Sequence, residues 1–231
     1  MSTPIAYVLS TRPLSGALIE EAAAKGITID VVPFIDTTRL EDETLVKRLA
    51  ELVEKPVTAV FTSVNAVVAI EIGDRPDWKI FCISGATRRA VAERFGEAAI
   101  VAVADSAKEL AEVIISQGTS RELWFFCGDK RREELPDSLK TAGWQVHEVV
   151  VYRTILTPHH IDKTYDAIVF FSPGAVESFF SMNTMGSEIP LFAIGRTTAA
   201  ALHRHCANPV TISEKPDEQL LIRAIITNSQ T

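Results

Sequence analysis

Cysteine is scarce and shows no pairing pattern: Cys82, Cys127 and Cys206 are the three among 231 residues, without CxxC spacing. An odd, scattered set argues against a disulfide framework and suits a reducing compartment, so the three read as buried thiols. Long apolar runs are missing too. No stretch approaches the ~20 residues that a spanning helix needs, and the start MSTPIAYVLSTRPLSG lacks the basic and apolar regions of a signal peptide. A cytoplasmic protein without membrane contact is expected. Excess positive charge is also absent, and a formal net charge of −7 argues against a general nucleic-acid binder. Neither a GxGxxG turn nor a Walker A glycine loop occurs, so the common nucleotide cofactors lack their phosphate cradle. No Ser–His–Asp order or paired-carboxylate motif stands out, so any catalysis must work without an obvious strong base.

What is present is an ordinary globular composition, with 47% hydrophobic and 23% charged residues, in a chain long enough for two compact units. Short β-rich runs alternate with helical patterns: YVLS with LSGALIEEAAAKG, AVFTS with VNAVVAIEIG, KIFCIS with TRRAVAERFG, LWFFCG with RREELPDSLKTAG, AIVFFS with PGAVESFF, LFAIG with RTTAAALHRHC. Such alternation predicts an α/β fold, with parallel sheets covered by helices on both faces. The segments also repeat. FTSVNAV resembles FFSPGAV, and Ile83, Thr87 and Leu110 fall on Ile194, Thr198 and Leu221 after a short indel. The stretch ending in Gly143 matches the one ending in Gly26, but this copy stands first in the chain. The second half is therefore read as circularly permuted. Residues 1–33 with 155–231 form one discontinuous domain, 37–147 an inserted one, and 29–36 and 146–154 two linkers able to pair as a short ladder. Pro33 should sit where that ladder needs no donor. The competing reading is chance similarity among generic βα units of one larger sheet.

In parallel α/β sheets, ligands bind beyond the carboxyl ends of strands, where loops feed helix N-termini. Small polar residues stand at each such point: Ser10-Thr11-Arg12, Thr62-Ser63, Ser84-Gly85-Ala86-Thr87, Cys127-Gly128-Asp129-Lys130, Ser172-Pro173-Gly174 and Gly195-Arg196-Thr197-Thr198. Each Ser or Thr alone is explained by helix capping, worth about 1 kcal/mol. The basic residues in these turns, Arg12, Arg88, Arg89, Lys130, Arg131, Arg132 and Arg196, oppose the helix dipole and so suggest an anionic ligand, with two halves facing each other across a cleft. His203-Arg204-His205-Cys206 ends a helix, and residues two apart do not share a face, so no metal is expected there.

The turns VFTSVNAVVA, FFCGDKRREELPDSLKTAGWQVHEVVVYRT, IVFFSPGAVESFF and LFAIGRTTAAAL, with the late Glu214-Lys215-Pro216, resemble the uroporphyrinogen-III synthase family over nearly the whole chain. The resemblance implies two flavodoxin-like parallel-sheet domains joined by a two-stranded β-ladder. It implies a lyase that takes hydroxymethylbilane, a linear tetrapyrrole with eight carboxylates, and closes it with inversion of the last ring, using no metal or organic cofactor. By the same resemblance Tyr152 is the linker tyrosine whose phenol assists departure of the hydroxyl. Arg12, Ser63, Thr87, Gly128, Arg132, Ser172, Gly195, Thr197 and Thr198 fall on substrate-binding loop positions. A small-molecule substrate and a monomer are expected, without nucleic acid or membrane. Two alternatives stand beside this reading: a two-domain binding or sensor protein for an anionic solute, and a regulatory relative that keeps the fold without activity.

Overall fold

The computed structural model describes residues 5–229 except 72, 74, 119 and 216. Its chain begins with β1 (Tyr7–Ser10), α1 (Gly16–Ala23), β2 (Thr28–Val31) and β3 (Ile35–Arg39). There follow α2 (Glu43–Val53), β4 (Val57–Phe61), α3 (Val64–Ala69), β5 (Trp78–Ile83), α4 (Ala86–Phe95) and β6 (Ile100–Ala104). Next come α5 (Ala107–Gln117), β7 (Glu122–Gly128), α6 (Glu134–Thr141) and the long β8 (Gln145–Leu156). The chain closes with β9 (Ala167–Phe170), α7 (Pro173–Phe180), β10 (Leu191–Ala193), α8 (Arg196–His205), β11 (Val210–Ile212) and α9 (Glu218–Asn228).

Two compact units result, Met1–Asp36 with Ile155–Thr231, and Thr37–Thr154. The chain crosses from one to the other inside β3 and inside β8, which are neighbouring strands. The crossings fall at the ends of the spans 29–36 and 146–154 anticipated as linkers, and part of each span also belongs to a sheet: Ile29–Val31 to β2, paired in parallel with β1, and Val146–Tyr152 to the stretch of β8 paired in parallel with β7. Pro33 lies between β2 and β3, outside any strand.

In the discontinuous unit the sheet order is β11-β10-β9-β1-β2, which is 2-1-3-4-5 by position in that unit, the flavodoxin-type order. Strict alternation along its strands divides the core between two faces. Leu9, Ile168, Phe170 and Leu191 pack with Val176 and Phe179 of α7 and Leu202 of α8. Val8, Val169 and Phe192 pack with Leu18 of α1 and Leu221, Ile222 and Ile225 of α9. All these strands lie inside the sheet and are apolar on both faces, as a doubly covered parallel sheet requires.

The inserted unit has the order β3-β8-β7-β4-β5-β6. Without β3 it is the same array, except that the strands equivalent to β1 and β2 come last in the chain. Relative to the flavodoxin order, the permuted copy is therefore the inserted unit, not the discontinuous one. One face packs Phe61, Ile80, Phe126 and Val149 with α2, α3 and α4, and the other packs Val60, Phe81 and Phe125 with α5 and α6. Phe126 stacks between Phe61 and Trp78, with centroids 5.1 Å away on each side, each contact worth about 0.5–1.5 kcal/mol beyond area burial.

The repeat is visible in backbone detail. Gly26 and Gly143 follow α1 and α6 with φ of 80° and 81°, a left-handed conformation that favours glycine. Beyond them Ile27 N–H reaches back to Ala22 O and Trp144 N–H to Leu139 O, each at 3.0 Å. The two helices thus end in the same hydrogen-bonded motif. Among the described residues no helix is long and apolar enough to cross a membrane.

Candidate functional site

In the inserted unit, parallel pairing brings the carboxyl ends of β8, β7, β4 and β5 to one edge of the sheet. Five of the expected residues stand there, Ser63, Thr87, Gly128, Arg132 and Tyr152. Ser63 follows β4 and caps α3, its Oγ accepting the Asn65 N–H at 3.1 Å. The half-buried Tyr152 donates its phenolic O–H to the same Oγ at 3.2 Å. Gly128 ends β7 directly beside the tyrosine, so close that a Cβ there would stand 2.4 Å from Tyr152 Cζ. The ring lies against bare backbone, which only glycine permits. Thr87 is different: it is the second residue of α4 and only 4% exposed. Its side chain packs inward rather than meeting solvent, because the first turn of α4 places position 87 on the core side with Val91 and Phe95.

Charge at this edge is more balanced than the run Lys130-Arg131-Arg132 suggests. Arg131 pairs with Glu133 at 2.6 Å and with Glu148, and Lys140 reaches Glu148 at 2.7 Å. Burial pushes the Glu148 carboxyl upward, but the hydrogen bonds from Lys140 and Arg131 outweigh it and hold that carboxyl below its ordinary value. Arg88 likewise pairs with Glu97. Arg132 is exposed and has no ion-pair partner among the described residues, which leaves its guanidinium open to an anion.

In the discontinuous unit the corresponding edge carries Arg12, Ser172, Gly195, Thr197 and Thr198 after β1, β9 and β10. The loop after β1 is pinned: Ser10 Oγ donates to Arg12 O at 2.7 Å and Thr11 Oγ1 to Val169 O at 2.8 Å. Arg12 lies over the Phe171 ring, 4.2 Å from its centroid, and gives Nη2 to Glu218 Oε2 at 2.6 Å. Its Nε is buried without a hydrogen-bond partner. Ser172 caps α7 through the Ala175 N–H at 3.1 Å, with Pro173 in the first helical position. Gly195 begins α8, its carbonyl accepting from Thr198 and Ala199. Thr197 is exposed, whereas Thr198 is 1% exposed and points into the core. Thr87 and Thr198, expected at the binding turns, are thus buried instead of exposed, and the reason is shared: helical periodicity turns these positions of the first turn inward. Pro216, from the turn Glu214-Lys215-Pro216, lies outside the described residues.

A cavity of about 710 Å³ in this unit is lined by Tyr165, Asp166, Pro190 and Pro209, which precede β9, β10 and β11. That is the opposite end of the strands. The histidine run that ends α8 is also structurally occupied: His205 stacks on Phe180 at 4.9 Å and bonds Glu177 at 2.8 Å.

A family model described as HEM4, uroporphyrinogen-III synthase HemD, matches residues 16–223. The chain belongs to the uroporphyrinogen-III synthase family. A uroporphyrinogen-III synthase of Saccharomyces cerevisiae is 30% identical over 122 residues, spanning 45% of this chain and 44% of the yeast protein. The match thus covers less than half of that relative. Two solved structures share the fold over almost the full length. Uroporphyrinogen-III synthetase of Helicobacter pylori has a TM-score of 0.68 at 16% identity, covering 96% of this chain and 99% of that one. A mutant uroporphyrinogen III synthase of Thermus thermophilus gives 0.61 at 17%, with 97% and 98% covered. For this uroporphyrinogen-III synthase family member, sequence reasoning missed Glu218 and Glu148, and the bond from Thr154 N–H to Asp129 Oδ1 at 2.8 Å. Ion-pair partners 206 residues apart, as Arg12 and Glu218 are, leave no local signal in one sequence.

Proposed function

We propose that this protein cyclises hydroxymethylbilane to uroporphyrinogen III, with inversion of the last ring. Membership of the family, over residues 16–223, carries this reading, and the setting of Tyr152 supports it. The reaction needs the terminal C–O bond to break with loss of water. The resulting electrophilic azafulvene is attacked by the substituted carbon of the last ring, and the spiro intermediate then fragments and recloses. The substrate's own electronics drive these steps, so the protein's contribution is geometric control and fixation of carboxylates. The Tyr152 phenol, which donates to Ser63 Oγ at 3.2 Å in this structure, is a neutral donor that assists the departing hydroxyl by turning its single O–H from Ser63 to the substrate. Arg12 and Arg132 supply guanidinium groups for acetate or propionate carboxylates. Ser63, Ser172, Thr197 and the backbone at Gly128 and Gly195 add neutral donors. Thr87 and Thr198 then serve by packing the helices that present these turns.

The cytoplasm and a monomeric state belong to the same proposal, as does action without a cofactor. The deciding experiment supplies hydroxymethylbilane generated enzymatically and separates the porphyrinogen isomers. The type III isomer is expected, and type I alone at the spontaneous rate would refute the activity.

A further inference from the structure

Tyr152 owes its direction to an irregularity in β8. Cys127 faces Val150 but Gly128 faces Tyr152, so Val151 is an extra residue, a bulge between β7 and β8. Val149, Val151 and Tyr152 all pack against one core cluster. Regular alternation forbids three such residues on one face, and a bulge is the usual device for re-aiming a side chain. β7 stops at Gly128, so on that side the ladder offers β8 nothing further. Asp129 takes over. Its N–H donates to Tyr152 O at 3.2 Å, and its Oδ1 accepts the Thr154 N–H at 2.8 Å. One exposed residue thereby grips the backbone on both sides of Arg153, next to the glycine against which the tyrosine ring lies.

We infer that Asp129 is a positioning residue for Tyr152, holding the bulged strand so that the phenol meets Ser63 and the substrate. This rests on the reading of Tyr152 as the group that assists departure of the hydroxyl. The part that matters is the oxygen acceptor, not the charge. Asp129→Asn keeps an Oδ1 and should preserve the clamp, whereas Asp129→Ala leaves the main-chain bond to Tyr152 O but removes the side-chain half and frees Thr154 N–H to water.

The test uses the full chain with ring-labelled tyrosine, the Tyr152 resonance being identified by its loss in Tyr152→Phe. Asp129→Ala is expected to move or broaden that resonance and to lower kcat about tenfold at unchanged KM, since small misplacements of a reacting group cost that much or more. Asp129→Asn is expected to restore both. A ring resonance unmoved in folded Asp129→Ala overturns the clamp by itself. An Asp129→Asn protein as impaired as Asp129→Ala also overturns it, because charge would then be the active property. If Tyr152→Phe turns over at the full rate, the role of Tyr152 falls and the positioning role falls with it, even where the ring resonance still moves. Far-ultraviolet circular dichroism on each variant separates these outcomes from unfolding.

Discussion

Replacing Gly128 by alanine tests the packing on which the phenol's placement depends. The new methyl carbon would stand 2.4 Å from Tyr152 Cζ, 2.5 Å from Cε2 and 2.8 Å from the hydroxyl oxygen. Comfortable contact between carbons lies at about 3.5–4.0 Å, so the ring must retreat by roughly 1 Å or more. A retreat of that size cannot keep the 3.2 Å bond to Ser63. Overpacking of this kind costs about 1–3 kcal/mol, and the lost hydrogen bond adds roughly 1 kcal/mol. Urea unfolding should therefore show Gly128→Ala destabilised by about 2–4 kcal/mol, and formation of the type III isomer should fall by tenfold or more under conditions where the variant is folded. Tyr152→Ala removes the ring that the methyl meets, so the double variant should cost less than the two single ones together, by about 0.5–3 kcal/mol. Simple additivity, or a Gly128→Ala protein with wild-type rate and stability, would refute the close approach.

Three other outcomes follow from contacts already described. Tyr152→Phe removes one partly buried hydroxyl, so stability should change by about 1 kcal/mol while turnover falls much further; equal rates would remove its chemical role. Glu218→Gln weakens the competitor for the Arg12 guanidinium, and because half-exposed ion pairs contribute about 0–1 kcal/mol, KM should fall by up to about fivefold with kcat unchanged. A raised KM would mean that the pair holds Arg12 in place instead. Burial, and then the hydrogen bond to Asp30 at 2.9 Å, push the Tyr165 phenol up to about 12. The unfolded chain releases that proton first, so the contribution is full below about pH 10, the ordinary tyrosine value, and is lost as pH rises towards 12. Tyr165→Phe should abolish that alkaline loss, measured as the pH dependence of the urea midpoint.

Much of the fold was legible because it is written in local patterns. Alternating strand and helix signals placed the α/β class, and the match of Gly143 to Gly26 revealed a repeat that the backbone reproduces down to its capping hydrogen bonds. The boundaries were less legible. Residues 29–36 and 146–154 are rich in β-branched residues, and that property marks strands whether they join two units or belong to one sheet. Capping serines were readable from their place before a helix, as Ser63 and Ser172 show. Burial within a first turn was not: Thr197 and Thr198 look alike in sequence, yet one is exposed and the other lies in the core. The charge balance of the basic turns was not legible either, since Glu148, Glu97 and Glu218 pair with Arg131, Arg88 and Arg12 from distant or unremarkable positions.

The split of one unit around the other sets a timetable for synthesis. β1 must sit between β2 and β9, and Asp166 Oδ2 ties down Ala6 and Tyr7 across 160 and 159 residues. A ribosome finishes every strand of the inserted unit before it makes β9. At about 5–20 residues per second, the first βαβ segment waits roughly 7–27 seconds between the end of β2 at Val31 and the start of β9 at Ala167, with one apolar strand edge unpaired. A nascent chain ending at Thr154, extended by an inert linker long enough to clear the ribosome, should therefore carry a folded inserted unit and a protease-sensitive amino terminus, making that early segment the part most dependent on chaperones.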